Sequence, residues 1–251
     1  MEEDLVVRLR AAGCVFAEEE ARLLLEAAGG DALEALVRRR VGGEPLEYVV
    51  GWAQFAGLQV VVAEGVFVPR RRSEFLARCA ADLARPGDVV VDLCCGAGAV
   101  GAAVAAWVPG VSLHAADVDP AAVAVARRNV PGAVYEGDLY AALPGELRGR
   151  VDVLVANAPY IPTGEIPLLP AEARLYEPPV ALDGGDDGLD VQRRIAAGAA
   201  GWLAPGGTLL IETSERQAPL TVAAFEAGRL EARVETCEDL AATVVLGSHA
   251  A

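Results

Sequence analysis

The stretch VVVDLCCGAGAVGAAVA, Val89 to Ala105, decides the fold. Its valines run straight into Asp92 and Leu93 with no polar alternation, the pattern of a strand covered on both faces. Gly96, Gly98 and Gly101 then follow with the G-x-G-x-x-G spacing that joins a buried strand to a helix. In this pattern the first glycine makes the turn, the second lets a ligand approach the backbone, and the third lets the helix pack closely. Alone the spacing is weak evidence, because a tight strand–helix turn that binds nothing can carry the same letters.

Around this stretch the chain reads as repeated βαβ units. Strands are predicted at 89–93, 112–117, 133–137, 151–157, 208–212 and 243–247, with a weaker one near 233–235. Helices are predicted at 99–107, 120–129, 190–203 and 217–227, and a further one precedes them at 73–85 with Ser73 as its expected N-cap. Asp119 before Pro120 reads as a cap followed by a first-turn proline. The connection 158–189 shows no element, and a loop of that length inside a compact domain is usually functional. Upstream, Leu5, Leu9, Ala21, Leu24, Leu25, Leu33, Leu36 and Val37 keep helical spacing. YVVGWAQFAGLQVVVAEGVFVP, Tyr48 to Pro69, alternates around glycine turns like a hairpin. The expected organisation is therefore α/β: a helical N-terminal domain over 1–45, a β-hairpin linker over 46–72, and a Rossmann-like domain over 73–251.

Composition narrows the function. The 251 residues carry a net charge of -15, with 53% hydrophobic and 23% charged residues. That balance suits a chain with a large core and opposes binding to a phosphate backbone, so no DNA partner is expected. No apolar run reaches the ~18 residues of a membrane span, and the start MEEDLVVRLR is acidic where a secretory signal is basic. Cys14, Cys79, Cys94, Cys95 and Cys237 have no metal-like spacing, and His114 and His249 lie far apart. The expectation is a cytoplasmic protein with reduced thiols and no metal.

Two cofactor classes share the glycine layout, nicotinamide dinucleotides and S-adenosylmethionine. Asp117, at the end of the second strand of the unit, suits a ribose in either. Asp92 lies just ahead of the glycines, where methyltransferases commonly place an acidic residue near the ammonium of the methionine moiety; a pyrophosphate would have no use for it. Asp138 in YEGDLY suits the exocyclic amine of adenine. These favour S-adenosylmethionine. Cys94 and Cys95 read as small fillers under the glycine loop.

The strand VDVLVANAPYIP, Val151 to Pro162, ends in Asn157-Ala158-Pro159-Tyr160. This tetrapeptide resembles the N-P-P-Y signature of methyltransferases that modify a planar, conjugated nitrogen. The resemblance implies that the Asn157 side-chain oxygen and the Ala158 carbonyl accept the two N–H bonds of the substrate. Pro159 would make those acceptors converge, and Tyr160 would pack on the substrate or on the sulfonium, where an aromatic face is worth about 0.5–2 kcal/mol. Catalysis would be mostly positioning and electrostatics.

Two longer blocks extend the likeness. GEPLEYVVGWAQFAGLQVVVAEGVFVPRRRSE resembles the linker of the HemK/PrmC family of protein-glutamine N5-methyltransferases. NAPYIPTGEI and ARLYEPPVALDGGDDGLDVQRRI resemble its active-site strand and the loop after it. The resemblance implies a seven-stranded class I methyltransferase domain behind a helical domain and a hairpin. It also implies methylation of the glutamine in the Gly-Gly-Gln loop of class-1 peptide release factors. Phe67 would border the transfer pocket, and Phe67, Pro69, Arg70 and Glu74 fit the linker pattern. Departures are equally specific: Arg71 and Arg72 stand where the family has a proline and an acidic residue, Ala158 replaces the first proline of the tetrapeptide, and the helical domain is short. Glu212 matches an acidic family position without an assigned role. DGGDDG, Asp183 to Gly188, fails as a calcium loop because Arg194 occupies the twelfth position. Open alternatives are a small metabolite or another protein as acceptor, adenine N6 of nucleic acid, and a non-catalytic cofactor-binding module.

Overall fold

The computed structural model describes residues 2–249. Helices α1 (Glu2–Ala11), α2 (Ala17–Ala27) and α3 (Gly30–Val41), followed by the short α4 (Leu46–Val50), pack around Leu5, Leu9, Ala17, Ala21, Leu24, Val37 and Val49. These are mainly the residues whose helical spacing puts them on one face of each segment. A hairpin follows, β1 (Trp52–Phe55) and β2 (Leu58–Val61), turning on Ala56 at φ 54° and Gly57 at φ 82°. Two left-handed residues match the twist of a two-residue hairpin. Phe55 is fully buried in the core shared with the α/β domain.

That domain contains α5 (Glu74–Leu83), β3 (Val89–Leu93), α6 (Ala99–Trp107), β4 (Ser112–Asp117), α7 (Pro120–Asn129), β5 (Ala133–Glu136) and β6 (Val151–Ala156). It continues with α8 (Ala171–Tyr176), α9 (Asp190–Ala199), β7 (Leu203–Thr213), α10 (Ala218–Ala227), β8 (Leu230–Cys237) and β9 (Ala242–His249). The sheet has seven strands in the order β5-β4-β3-β6-β7-β9-β8, parallel except for β9, which runs antiparallel to β7 and to β8. Chain order reverses at β3, which pairs with β4 on one side and β6 on the other. Open α/β sheets bind ligands at such a switch point, beyond the carboxyl ends of the strands. Alternate residues feed opposite faces: Val90, Val153 and Leu210 join the core under α5 to α7, while Val91, Leu154 and Leu209 join the one under α9 and α10.

Asn129, the last residue of α7, ties the hairpin to the glycine loop. Its Oδ1 accepts from the Val61 backbone at 2.9 Å, and its Nδ2 donates to the Val61 and Ala97 carbonyls, each at 2.8 Å. Asp119 caps α7 as expected, accepting from the Ala121 N–H at 2.9 Å.

The structure departs from the sequence reading in four places. Ser73 caps nothing; it lies in a 3₁₀ turn over Arg71–Ser73, and its side chain faces the site instead. Helix α9 stops at Ala199 rather than near 203, where Gly198 and Gly201 weaken helix propagation. Strand β7 starts at Leu203, before the expected 208, because Leu203 pairs with Val151 ahead of an irregularity that Gly206 makes at φ 79°. The 158–189 connection also has elements of its own, α8 and the 3₁₀ turns Thr163–Leu168 and Pro179–Ala181. It returns to the tetrapeptide through a bridge between Ile161 and Asp183. The Asp183 carboxylate accepts from the Thr163 hydroxyl and the Gly185 N–H there, so DGGDDG is a self-bonded turn leading to α9. Among the described residues no helix is long and apolar enough to cross a membrane.

Candidate active site

Two cavities meet at the carboxyl ends of β3 to β6. The first, of about 360 Å³, lies over the glycine loop, with Asp92, Gly96, Asp117, Asp119, Asp138 and Arg194 among its lining residues. The second, of about 520 Å³, is walled by Arg70, Arg72, Tyr160 and the 158–189 connection, including Leu169, Pro170 and Ala173. Phe67, Asn157, Pro159 and Ala181 line both, so they form the partition between them.

Gly96 of the glycine loop lines the first cavity, while Gly98 and Gly101 pack closely against neighbouring protein atoms. Gly96 sits at φ 53° and Gly98 at φ 79°, backbone that side chains rarely adopt. A Cβ on Gly98 would come within 2.5 Å of Val130 Cγ2, and one on Gly101 within 3.0 Å of Asp92 Oδ2. Asp92 is only 1% exposed, and its Oδ2 accepts from the Gly101 N–H at 2.9 Å. Burial pushes its pKa up to about 7, helped by the charge of Asp117 and opposed by the Gly101 N–H. Asp117 accepts from the Gly96 N–H at 2.8 Å and from the Asp119 N–H at 2.9 Å, which bends the loop around its carboxylate. Burial raises its pKa too, and those N–H groups oppose the rise. Asp138 stands at the rim, paired to Arg194 at 2.6 Å. Cys94 and Cys95 are among the residues that line this cavity, and burial pushes both thiols up, the direction that disfavours the reactive thiolate.

The donor set tests what this cavity suits. Four carboxylates, from Asp92, Asp117, Asp119 and Asp138, line it, against Arg194 as the lining cation among the described residues. Carboxylates accept from hydroxyl, amine and ammonium groups and repel phosphates. S-adenosylmethionine, with ribose hydroxyls, an ammonium and a sulfonium, fits that set; a dinucleotide pyrophosphate does not.

The tetrapeptide leaves the end of β6 beside it. Asn157 donates from Nδ2 to the Ser73 hydroxyl at 3.1 Å, which leaves its Oδ1 for the partition. Ala158 is buried, and among the described residues no recorded hydrogen bond uses its carbonyl. The Tyr160 carbonyl accepts from Gln217 Nε2 at 2.9 Å, and its hydroxyl donates to Glu212 Oε1 at 3.4 Å. Tyr160 lines the second cavity. The Arg72 guanidinium stacks over its ring at 5.6 Å, and Arg72 Nε donates to Glu212 at 3.2 Å.

Phe67 is steadied by Arg70, whose guanidinium lies 4.8 Å from the ring centre. Arg70 pairs with Glu177 at 2.5 Å, and Glu177 Oε1 accepts from the Val68 N–H at 3.1 Å. The segment after the hairpin and the 158–189 connection are thereby joined beside the partition. Sequence offers no site role for Ser73, Glu177, Gln217 or Arg194. Ser73, Glu177 and Arg194 lie inside the quoted family blocks, but no spacing rule reveals contacts between residues so far apart in the chain.

Comparison with known proteins follows the same lines. The family model for the methyltransferase small domain matches residues 57–167. A release factor glutamine methyltransferase of Geobacter sulfurreducens is 38% identical over 199 residues, covering 77% of this chain and 69% of that protein. A 4-amino-L-phenylalanine/4-methylamino-L-phenylalanine methyltransferase of Streptomyces pristinaespiralis is 40% identical over 222 residues, covering 83% and 75%. Among solved structures, a methyltransferase from Pyrococcus furiosus superposes with a TM-score of 0.59 at 16% identity, covering 78% of this chain and 90% of that one, which is likeness of fold.

Proposed function

This chain belongs to the release factor glutamine methyltransferase family, and on that premise we propose that it methylates the side-chain amide nitrogen of a protein glutamine, in the Gly-Gly-Gln loop of a class-1 peptide release factor. It is an S-adenosylmethionine-dependent N-methyltransferase. The observation that carries the acceptor reading is the shared partition: one asparagine faces a carboxylate-lined cofactor cavity and a separate acceptor cavity. Asp92, Gly96, Gly98, Asp117 and Asp138 are assigned to the cofactor. S-adenosylmethionine supplies a methyl group made electrophilic by its positive sulfur.

The chain's own residues do the rest by placement. An amide nitrogen is a poor nucleophile because its lone pair is delocalised into the carbonyl. Asn157 Oδ1 and the Ala158 carbonyl accept its two N–H bonds, which fixes the nitrogen's direction and favours the pyramidal form that exposes the lone pair. Pro159 and Phe67 close the partition around the reacting atoms and exclude water. Methylation makes the nitrogen's proton acidic, so no strong base is required. Holding both partners in line is the kind of effect that contributes several kcal/mol to a bimolecular transfer.

A second acceptor, a small amine-bearing amino acid, is favoured by one specific observation. The relative that acts on 4-amino-L-phenylalanine is as similar to this chain as the release factor enzymes are. An aniline nitrogen has the same planar NH₂ and delocalised lone pair, so the same pair of acceptors would serve it. The experiment is transfer of labelled methyl from S-adenosylmethionine to purified release factor, run beside cell lysate and 4-aminophenylalanine. Label on the Gly-Gly-Gln glutamine is expected. Label only on the small amine moves the assignment to the second acceptor, and none on any of the three overturns the proposal.

A further inference from the structure

The second cavity is lined in the opposite sense to the first. Arg70 and Arg72 line it, with Glu172 as the lining carboxylate among the described residues, in a chain of net charge -15. Glu172 is already tied to Arg40 at 2.5 Å. The two arginines are held alike. Arg72 donates from Nε to Glu212 at 3.2 Å, and its guanidinium lies 5.6 Å from the Tyr160 ring centre. Arg70 donates from Nη2 to Glu177 at 2.5 Å, and its guanidinium lies 4.8 Å from the Phe67 ring centre. The Glu212 and Glu177 side chains are 2% and 1% exposed and line no part of this cavity, whereas those of Arg72 and Arg70 are 45% and 34% exposed and do. Each guanidinium is thus fixed from behind by a buried carboxylate and along its face by a ring. Among the described residues neither makes a further hydrogen bond, so most of the N–H donors in each fork are unspent.

We propose that this cavity contains a carboxylate subsite, in which Arg72, with Arg70 beside it, selects acceptors that carry a carboxylate near the reacting NH₂ group. This rests on the second cavity being the acceptor side of the partition. Ion pairs that only joined the walls would not call for two guanidiniums on one cavity with donors left over. A guanidinium fork matches a carboxylate in plane and can bind it through two parallel bonds. Holding the fork still before the acceptor arrives lowers the entropy lost on binding. A phosphate dianion would meet Glu172 in the wall and two glutamates behind it, so a planar group with a single charge fits better. Arg72 also stands where the family's linker pattern has an acidic residue, so the sign of this wall is the chain's own. The carboxylate has two sources with the same chemistry: the α-carboxylate of a free amino acid, or an Asp or Glu side chain beside the glutamine of a protein.

The test compares matched acceptors that differ only in that charge. One pair is 4-aminophenylalanine and its α-carboxamide. The other is purified release factor and versions in which each Asp or Glu near the Gly-Gly-Gln glutamine is changed in turn to Asn or Gln. Both are read by KM for labelled methyl transfer and by calorimetric binding to the protein loaded with S-adenosylhomocysteine. In the wild type the neutral member of one pair should bind about 10- to 100-fold more weakly, the scale of a hydrogen bond to a charged group. Loss within the first pair identifies the α-carboxylate, and loss within the second identifies an acidic side chain.

Arg72→Gln alone strands Glu212, so it is combined with Glu212→Gln. That double variant should treat both members of the pair alike while keeping its affinity for S-adenosylhomocysteine, whose cavity neither residue lines. Arg72→Lys, which keeps Glu212 paired, is the second variant and should lose part of the discrimination, because an ammonium lacks the planar fork. Wild-type protein that does not discriminate within either pair overturns the subsite, and so does discrimination that survives undiminished in these variants. If binding discriminates but no methyl reaches either acceptor, the subsite stands and the proposed reaction has failed instead.

Discussion

At the scale of single residues, the site separates binding from transfer, and substitutions should separate them too. Asn157 reaches the partition, while the carboxylates that suit the cofactor lie beyond it on the glycine loop. Asn157→Ala should therefore cut turnover by roughly 10²–10³, the usual cost of one preorganised polar group, and leave cofactor affinity near wild type by calorimetry. An equal loss in both would place the residue wrongly. Asp92 offers a test with a sign. Its pKa of about 7 lies above the ordinary 3.8 because burial disfavours the charge. A cationic ligand beside it favours the ionised form, so binding below pH 7 must expel a proton. S-adenosylmethionine affinity should rise about fivefold from pH 6 to 7 and about twofold more by pH 8, as the ionised fraction of a group with pKa about 7 goes from about a tenth to about nine tenths. Asp92→Asn should flatten that rise, and calorimetry in buffers of different ionisation enthalpy reads the released proton directly. Most of these residues were legible in sequence, because glycine spacing and strand-end carboxylates are local signals. Glu212 had no legible role, since its partners Arg72 and Tyr160 lie 140 and 52 positions away along the chain.

At the scale of elements, what could be read depended on periodicity. The strands of the central sheet announce themselves by short runs rich in valine, leucine and alanine, and β3, β4 and β6 fall where that pattern predicts. The 158–189 connection gave no such signal, for a physical reason. Helix α8 has six residues, and Leu168 and Leu175 are 81% and 65% exposed, so no apolar face repeats. Its shape comes instead from contacts with distant groups, Gln217 on the Tyr160 carbonyl and the turn at Gly184 to Gly188. Gly188 shows how tightly that turn is set: it sits at φ 80°, and a Cβ there would fall 2.3 Å from the Tyr160 carbonyl oxygen and 2.4 Å from Gln217 Nε2. Gly188→Ala should lower stability by more than about 1 kcal/mol, as alanine at positive φ does. It should also lower turnover by pushing Tyr160, while the glycine-loop cavity, which Gly188 does not line, keeps its cofactor affinity. Unchanged turnover would mean that Tyr160 tolerates displacement and is not part of the acceptor wall.

At the scale of the whole molecule, the question is what holds the helical domain to the catalytic one. Arg40, near the end of α3, is 7% exposed and reaches both. Its Nε and Nη2 donate to Glu20 of α2 at 2.6 and 3.0 Å, its Nη1 to the Glu44 carbonyl at 2.8 Å, and the same Nη1 to Glu172 of α8 at 2.5 Å. Glu172 and its neighbours wall the acceptor cavity, so one guanidinium joins the N-terminal helices to that wall. The two arms differ in weight. The Glu20 arm is buried on both sides, whereas Glu172 is about half exposed and its pair with Arg40 is screened. Arg40→Ala strands a buried carboxylate and should cost about 3–5 kcal/mol in denaturant unfolding, the usual penalty for breaking a buried pair. Glu172→Ala should cost no more than about 1 kcal/mol. Replacing Arg40 and Glu20 together by methionine and leucine should recover most of the loss, since apolar residues of similar volume need no partner. That double variant keeps the helices folded but severs their tie to α8. It should raise KM for a protein acceptor while leaving cofactor affinity near wild type. A double variant with unchanged protein KM would show that the helical domain and α8 do not cooperate in holding the acceptor.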